Sequence, residues 1–369
     1  MSTTAATKFP AIKNRITSLL GCQYPLILPG MSWISTAELV AAVSNAGGVG
    51  ILATGPLSAE ETRSSIKRIR SLAPNKPFGI GATLLMPGST ENAKVALEEK
   101  VPLINTSLGK ADWIAEAAHE YGGKVLCTVT NAKHAESAIT SGADAIMATG
   151  HEAAAHGGDV TSLVLIPSLA ERFPDVPIVA AGGFANGKGV AAALSLGADG
   201  IAMGSRLAMT KESPLASNVK EVISSSDVNG GATESDTIYG KNFDGIPARV
   251  LRSPASVRLN AKPASFPVVF YRAMQAAKAM DMPLWKVLPG LITQWDKMYV
   301  VAQFGAATEA LMAATVDGTL EDTGVQFIGQ CQGLIGDVPV VDDLVQRIMR
   351  EAHMVSSSSA SLFTIDEER

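Results

Sequence analysis

The sequence predicts an α/β protein: a (β/α)8 TIM barrel with a second, smaller α-helical domain inserted near the C-terminal end. Two observations predict this fold. Eight short apolar segments alternate with amphipathic segments of helix length within about 200 residues, as in a closed parallel barrel. A Gly-Ala-Asp turn followed by an apolar strand also occurs twice, at 142–147 and 197–203, as expected of a repeated βα unit.

The eight strands are predicted from short runs rich in apolar residues and bounded by turn residues. They are residues 24–29, 49–52, 77–85, 101–107, 124–130, 143–149, 176–181 and 200–203. Helices are predicted between them, where apolar residues recur at helical spacing between capping residues and glycines. These are residues 12–21, 35–48, 59–72, 112–121, 132–141 and 187–196.

The alternation of strands and helices stops after residue 210. Further helices are predicted at 219–223, 267–280, 293–312, 325–335 and 342–352. We therefore assign residues 9–214 and 319–353 to the barrel and residues 215–318 to an α-helical lid. Residues 354–369, rich in serine and then in charged residues, are predicted to form a disordered tail.

Composition excludes several classes of protein. With 369 residues, 47% hydrophobic and 18% charged, the chain can bury a large core. It has no long uncharged apolar run and no secretory leader, so we expect a cytoplasmic protein that does not enter a membrane. Its net charge of -5 argues against a nucleic-acid partner. The three cysteines, Cys22, Cys127 and Cys331, are far apart and are expected to be buried thiols without disulfides.

A phosphate site is predicted where the seventh and eighth strands end. The motifs there are Ala-Ala-Gly-Gly-Phe-Ala at 180–185 and Met-Gly-Ser-Arg at 203–206. Glycine turns expose backbone N–H groups, and in this fold they bind phosphate near a helix N-terminus. Two such turns on adjacent strands favour a ligand over ordinary tight turns. The candidate cofactor-binding residues are Ala181, Gly182, Gly183, Met203, Gly204 and Ser205.

The first and third strands also end in residues that suit a flat aromatic ligand. Gly30 leaves the backbone accessible and Met31 offers a polarizable side chain, although Met31 taken alone is more simply core filling. Thr83 follows a glycine and an alanine at the end of the third strand. We include Gly30, Met31 and Thr83 among the candidate cofactor-binding residues.

Two histidines follow the sixth strand, in Gly-His-Glu-Ala-Ala-Ala-His-Gly-Gly at 150–158. His151 is interpreted as structural, held by the neighbouring Glu152 carboxylate. His156 lies among small residues on the same barrel face as the phosphate site and is the candidate catalytic residue, since imidazole exchanges protons near neutral pH. Gly150 is a further candidate for cofactor contact. No third ligand accompanies the two histidines, so no metal site is predicted, and His119, His134 and His353 are expected at the surface.

Taken in order, these motifs resemble the nitronate monooxygenase (2-nitropropane dioxygenase) family of FMN-dependent TIM-barrel enzymes. The resemblance runs from about residue 14 to residue 352 and includes Gly-Gln-Cys-Gln-Gly-Leu-Ile at 329–335. It implies bound FMN, a helical domain over the barrel mouth, and His156 as the base that deprotonates a neutral nitroalkane. It also implies phosphate contacts and flavin-ring contacts, the former at Gly182, Gly183, Gly204 and Ser205 and the latter at Gly30 and Met31.

The resemblance implies an FMN-dependent oxidoreductase that oxidises nitronates with O2 to a carbonyl compound and nitrite. Ala154 and Ala155 replace two glycines that are more usual in the family motif, which narrows the space beside the flavin. The motifs also resemble flavin-dependent enoyl-thioester reductases and NADH:quinone reductases, so reduction by NAD(P)H is an alternative activity. A third hypothesis, a sensor of a phosphorylated metabolite, is disfavoured by a histidine in the pocket.

Residues 239–249 lie where such relatives place substrate-facing residues. Lys241 and Arg249 are candidates for binding the phosphate of a nicotinamide or of coenzyme A, but solvated surface charges are the preferred interpretation of both. The predicted partner is a small-molecule substrate. The sequence leaves the oligomeric state open, a homodimer included.

Overall fold

The structure is a computed structural model. It describes residues 8–86, 88–224, 232–261, 265, 267–268, 270–271, 274, 303 and 307–362. Within these residues, no helix is long and apolar enough to cross a membrane.

Eight parallel strands form a closed barrel in chain order, which confirms the predicted (β/α)8 architecture. The barrel closes where Leu26 of the first strand pairs with Ile201 of the last. Because the strands are parallel, the loops after all eight of them meet at one face, which is where this fold carries its chemistry. The strands are β1 Leu26–Leu28, β2 Val49–Ala53, β3 Phe78–Thr83, β4 Leu103–Ser107, β5 Lys124–Val129, β6 Ala145–Thr149, β7 Ile178–Ala181 and β8 Gly200–Ala202.

Nine helices accompany the strands in the described part of the chain to residue 208. They are α1 Arg15–Leu20, α2 Ala37–Asn45, α3 Ala59–Leu72, α4 Ser89–Glu98, α5 Asp112–Glu120, α6 Ala132–Thr140, α7 Ser162–Arg172, α8 Gly187–Ser195 and α9 Gly204–Ala208. Helix α1 precedes β1, α2 to α8 each connect two successive strands, and α9 follows β8. The sequence analysis did not predict α4 and α7. Helix α4 starts without a side-chain cap after a left-handed Gly88, and α7 contains Pro167, which disfavours a helix interior. Burial of Leu165, Ile166 and Leu169 stabilises α7 despite the proline.

Helix α1 closes the end of the barrel opposite the site. Asn14 and Thr17 form a capping box at its start, and Gly21 ends it in the left-handed conformation. Ile16 and Leu20 are buried in the cluster that fills the barrel interior. Arg15 donates from Nε and Nη2 to the two carboxylate oxygens of Asp199, at 2.7 and 2.8 Å, just before β8. This bidentate ion pair holds helix α1 against the amino-terminal end of the barrel sheet.

Residues 215–318 were predicted to form an α-helical lid. The described part of this segment also contains β-strands and is therefore not wholly helical. Helices α10 Ser217–Ser224 and α11 Pro254–Ala261 flank an antiparallel hairpin of β9 Thr237–Gly240 and β10 Ala248–Leu251. The hairpin forms because β-branched and aromatic residues occupy both strands, and Gly245 has a positive φ of 88° in the connecting turn. The helices predicted at 267–280 and 293–312 lie mostly outside the described residues.

Two predictions near the C-terminus are also wrong. In the segment predicted as a helix at 325–335, only a 3-10 turn at Gln330–Leu334 is helical, and it starts after Gly329, which has an extended backbone. The final helix, α12 Val341–Ser361, continues beyond residue 353, so the first part of the predicted disordered tail is helical. Its serines remain helical because α12 packs along α8, a tertiary contact that outweighs low propensity. Residues 363–369 lie outside the described part.

Candidate active site

A cavity of about 710 Å3 lies at the carboxyl ends of the barrel strands and beneath the hairpin. It brings together residues that are far apart in the sequence and that follow β1, β3, β6, β7 and β8. Nearly all of the predicted site residues line it: Gly30, Met31, Thr83, His156, Ala181, Gly182, Gly183, Gly204 and Ser205.

Gly150 and Met203, the other two predicted cofactor-binding residues, do not line the cavity. A side chain at Gly150 would meet the Ser162 hydroxyl at 2.1 Å, so glycine is needed there for close packing against the start of α7. Met203 is 1% exposed, and its N–H donates to the Ile27 carbonyl at 3.0 Å. Both residues therefore pack in the protein interior next to the cavity wall and do not face the cavity.

Two glycine turns form one wall of the cavity. Gly182 and Gly183 have φ values of 97° and 84°, in the left-handed region that side chains disfavour. Gly204 begins α9, and N–H groups in the first turn of a helix have no partner within that helix. A Cβ atom on Gly204 would lie 3.3 Å from Met31 Sδ, so the turn also stays close to the residue after β1. The wall therefore offers backbone donors to an anionic group.

The residues that follow Gly204 anchor this wall to the C-terminal segment. The Ser205 hydroxyl accepts a hydrogen bond from the Gly329 N–H at 2.9 Å. Arg206 is 2% exposed and donates from Nη1 to Asp337 Oδ1 at 3.0 Å, while its Nε has no partner among the described residues. Burial lowers the pKa of Arg206, and the Asp337 carboxylate opposes that effect. Arg206 does not line the cavity.

His156 pairs with Asp244, a carboxylate in the turn of the lid hairpin. The distance from His156 Nε2 to Asp244 Oδ2 is 2.6 Å. Both side chains line the cavity, but the imidazole is 23% exposed while the carboxylate is only 3% exposed. Within the 239–249 segment, the sequence had indicated only Lys241 and Arg249 as candidates. No local signal marks Asp244, because its partner is 88 residues away in the chain.

The loop that carries His156 is bound to the hairpin through main-chain hydrogen bonds. Ala155 has a positive φ of 54° and exchanges two hydrogen bonds with Arg249, at 2.9 and 3.1 Å. Arg249 was interpreted as a solvated surface charge, which is wrong: it is 4% exposed. Its guanidinium donates to the His151 carbonyl and to the Thr237 hydroxyl. Lys241, in contrast, is exposed, as predicted.

His151 lies behind the cavity wall, as expected of a structural histidine, but Glu152 does not hold it. Its Nδ1 is 2.9 Å from the Gly158 carbonyl oxygen, and its ring packs edge-on against Tyr239 with a centroid distance of 4.6 Å. The Glu152 carboxylate instead accepts hydrogen bonds from the N–H and hydroxyl of Ser162, at the start of α7. A carboxylate there is favoured because a helix N-terminus attracts negative charge.

Tyr239 connects the hairpin to the same loop. Its hydroxyl donates to the Gly157 carbonyl at 3.0 Å, and its ring lies under the Arg249 guanidinium at 5.2 Å. Burial raises the pKa of the Tyr239 hydroxyl, with Asp159 adding to the effect. The hairpin thus contacts both sides of His156.

The sequence model of the nitronate monooxygenase family matches residues 13–351. The chain belongs to this family. Members of the family are flavin enzymes, and the chain is therefore an oxidoreductase of the nitronate monooxygenase family.

The chain is similar to proteins that are named for different activities. The chain is 30% identical to (3aS,4S,5R,7aS)-5-hydroxy-7a-methyl-1-oxo-octahydro-1H-indene-4-carboxyl-CoA dehydrogenase of Mycobacterium tuberculosis, over 94% of this chain and 99% of that protein. It is 28% identical to a probable nitronate monooxygenase of Staphylococcus aureus, over 64% of this chain and 78% of that protein. The solved structure of FabK from Thermotoga maritima is 31% identical, covers 95% of this chain and 100% of its own, and has a TM-score of 0.79.

The cavity of this family member has a polar wall that the sequence analysis missed. Asn105 donates from Nδ2 to the Leu126 carbonyl at 2.9 Å and to the Thr128 hydroxyl at 3.1 Å. Thr106 and Cys127 share a hydrogen bond at 3.0 Å, and burial raises the pKa of the Cys127 thiol. The sequence signal for this wall is the presence of polar residues, Asn105 and Thr106, directly after the apolar start of strand β4.

FMN, the cofactor that the resemblance implies, is compatible with these residues. One glycine-lined wall offers backbone N–H groups to a phosphate, and a polar wall on β4 and β5 offers hydrogen-bonding groups to a heteroaromatic ring. Met31 also lines the cavity and lies beside Gly204. Among the described residues, no group of three His, Cys, Asp or Glu side chains is placed to hold a metal ion.

The cavity extends to the outer surface past α6. His134, Ser137 and Ser141 line this extension and lie on one face of α6 and its C-terminal turn, at spacings of three and four residues. Lys110, two residues before α5, adds a positive charge to the rim. His134 was predicted to be a surface residue; it is exposed, yet it also lines the rim and its Nδ1 is 3.0 Å from the Thr130 hydroxyl.

Proposed function

We propose that the chain is an FMN-dependent oxidoreductase of an acyl thioester, in which His156 moves a proton to or from the carbon next to the thioester carbonyl. The observation that carries the proposal is one continuous cavity. It joins the glycine turns, the His156–Asp244 pair and an open rim with Lys110.

Each part of the cavity has a separate task. Gly182, Gly183 and Gly204 would donate backbone hydrogen bonds to the cofactor phosphate, and Gly30 and Met31 would contact the flavin ring. Bound FMN would supply the two-electron chemistry, giving or taking a hydride at the β-carbon of the thioester. His156 supplies the proton at the α-carbon in the direction of reduction and removes it in the direction of oxidation.

The size and shape of the cavity favour a long substrate. The cavity of about 710 Å3 continues from His156 to an exposed rim along α6. A small nitroalkane would need only the space beside the cofactor, whereas a thioester carries a long polar arm that must reach solvent. The Lys110 ammonium at the rim suits the phosphates at the end of such an arm.

Charge near His156 also favours a neutral reacting carbon. The Asp244 carboxylate lines the cavity at 3% exposure. A buried carboxylate repels an anionic nitronate, and the repulsion is strong where little water screens it. A thioester binds without charge at its α-carbon, as does a neutral nitroalkane, so this charge disfavours only a pre-formed nitronate. Two relatives that align over nearly their whole length, the carboxyl-CoA dehydrogenase and FabK, support this choice.

Nitronate oxidation is the second candidate function. The segment from Glu152 to His156 resembles the family motif, and the family description and the Staphylococcus aureus relative both favour it. In this activity His156 would take the α-proton of a neutral nitroalkane, and O2 would accept the electrons, with a carbonyl compound and nitrite as products. The carboxylate of Asp244 would then help to hold the proton on the imidazole.

An anaerobic experiment separates the two candidates. The purified yellow protein is reduced with dithionite and mixed with crotonyl-CoA, and the return of the oxidised flavin absorbance is followed. We expect rapid reoxidation by the thioester, and weak nitrite release when the oxidised protein receives ethylnitronate and O2. Fast nitrite release without reoxidation by crotonyl-CoA would replace the first function with the second. A protein that binds no flavin would contradict both.

A further inference from the structure

We propose that Asp244 is a positioning residue for His156, so that the barrel and the lid hairpin each contribute one member of the proton-transfer pair. This inference rests on the proposed role of His156. It assigns a task to a carboxylate that lies outside every motif on which the family resemblance depends.

The distance between the two groups is that of a strong, charge-assisted hydrogen bond. His156 Nε2 and Asp244 Oδ2 are 2.6 Å apart. The carboxylate is 3% exposed and the imidazole 23% exposed, so water competes little for the bond. A carboxylate buried this deeply needs partners for its charge. His156 supplies one of them.

The other carboxylate oxygen has its own partner. Asp244 Oδ1 accepts a hydrogen bond from the Ile246 N–H at 3.1 Å, which fixes the plane of the carboxylate. The edge of the Phe327 ring lies against the imidazole, with centroids 6.0 Å apart. The imidazole is therefore oriented by a hydrogen bond on one edge and an aromatic contact, and its proton in the neutral form is held on Nε2.

The hairpin geometry delivers Asp244 to this place. The turn between β9 and β10 contains Gly245 at a φ of 88°, and the Gly245 N–H donates to the Lys241 carbonyl at 3.1 Å. Next to the turn, Arg249 pairs with Ala155, one residue before His156. The same strand therefore aligns both members of the pair, and the pair exists only when the hairpin is docked on the barrel loop.

The pairing suits a group that gains and returns a proton in a buried site. With neutral imidazole, the pair carries the single negative charge of Asp244. When His156 takes the α-proton of a substrate, the imidazolium forms beside an anion instead of as an isolated buried charge. The proton stays on the imidazole until it is returned to product or to solvent, so no other residue has to change its charge.

Two substitutions of Asp244 distinguish the effect of its hydrogen bonds on His156 from the effect of its charge. Asp244 uses both oxygens as acceptors, whereas Asp244→Asn has a single acceptor oxygen and can accept a hydrogen bond from only one of His156 and Ile246. Asp244→Leu has the same number of side-chain heavy atoms with the same branching at Cγ, and no acceptor. Asp236→Asn is the matched control, because this carboxylate lies at the other end of the hairpin and accepts bonds from Thr233 at 2.8 Å.

The direct measurement is the 15N spectrum of the imidazole rings in the holoprotein, with His156→Asn used to assign the signals. We expect wild-type His156 to be protonated on Nε2 in its neutral form, and both Asp244 variants to shift its ring signals toward a mixture of tautomers. Asp236→Asn should leave them unchanged. Identical His156 signals in wild type and Asp244→Leu would overturn the proposal, as would a wild-type ring protonated only on Nδ1.

Kinetics supply a second readout. We expect kcat to fall about 10²-fold in Asp244→Leu with little change in KM, since loss of general acid–base catalysis costs on this scale. A rise in KM at unchanged kcat would make Asp244 a substrate-binding residue and contradict the proposal. The 15N spectrum needs no substrate, so inactivity of wild type toward thioesters and nitronates would refute the proposed function and leave the test of Asp244 intact.

Discussion

The Arg249 guanidinium donates two hydrogen bonds to one acceptor, the carbonyl oxygen of His151, from Nε at 3.2 Å and from Nη2 at 3.0 Å. His151 begins the loop that carries His156, and Arg249 belongs to strand β10 of the hairpin. A planar guanidinium can make this double contact and a further one to Thr237 at the same time. The hairpin therefore holds the candidate catalytic loop through one buried cation.

The hydrogen bonds of Arg249 predict that even a conservative substitution at this position lowers the stability of the protein. Arg249→Lys keeps the charge but cannot reproduce the forked contact, so we expect the free energy of unfolding to fall by about 1–3 kcal/mol. Thermal and urea denaturation measure it. Arg252→Lys is the matched control, because Arg252 is exposed and lies just beyond the same strand. Equal stability of the two variants would show that the hydrogen bonds of Arg249 contribute nothing.

The glycine wall predicts where a new charge removes the cofactor. Gly204 has no left-handed backbone, so Gly204→Asp is expected to fold, yet its carboxylate would lie against a bound phosphate. Flavin affinity should fall by at least about tenfold, the effect of roughly 1.4 kcal/mol of repulsion. Flavin absorbance and circular dichroism are measured together.

A glycine outside the cavity supplies the control for that experiment. Gly336→Asp adds the same charge in open space, away from the cavity, and should retain flavin. Gly182 is unsuitable, since its φ of 97° makes any side chain strained. Full flavin content in Gly204→Asp would place the phosphate elsewhere.

Alkaline stability is predicted from Cys331. Burial raises the pKa of this thiol from 9.0 to about 11. Between these pH values the unfolded chain loses the thiol proton while the folded protein keeps it, so stability is complete below pH 9 and falls as the pH rises. The slope for one proton is about 1.4 kcal/mol per pH unit.

Cys331→Ala removes this titration alone. The difference in unfolding free energy between wild type and variant should shrink between pH 9 and pH 11 and be constant below pH 9. Burial also raises the pKa of Cys22, to about 12, but Cys22 contributes to both proteins and cancels. A difference that stays constant across the whole range would contradict the prediction.

The barrel and its glycine turns were predictable because their signals are local. A strand, a turn and a helix follow one another in the sequence, and glycine at 182 and 183 marks the left-handed backbone directly. The position of His156 in the cavity was predictable for the same reason, since it follows strand β6 among small residues. These features require no knowledge of the rest of the chain.

The partners of the site were not predictable, because they depend on how the hairpin docks. Asp244 is one carboxylate among many until the turn places it 2.6 Å from His156. Arg249 has the local pattern of a surface charge, and only the fold shows that its donors meet a buried carbonyl. Glu152 likewise binds Ser162 across the loop and not the adjacent His151.

The central claim is that His156 moves a proton at the carbon next to a thioester carbonyl. The holoprotein is incubated with butyryl-CoA in D2O, and deuterium at the α-carbon is measured by mass spectrometry for wild type and for His156→Asn. In wild type we expect exchange well above the protein-free rate. In His156→Asn we expect the exchange rate to be at least about 10²-fold lower than in wild type. Exchange that is no faster than in buffer, or that is equal in wild type and His156→Asn, would contradict the claim.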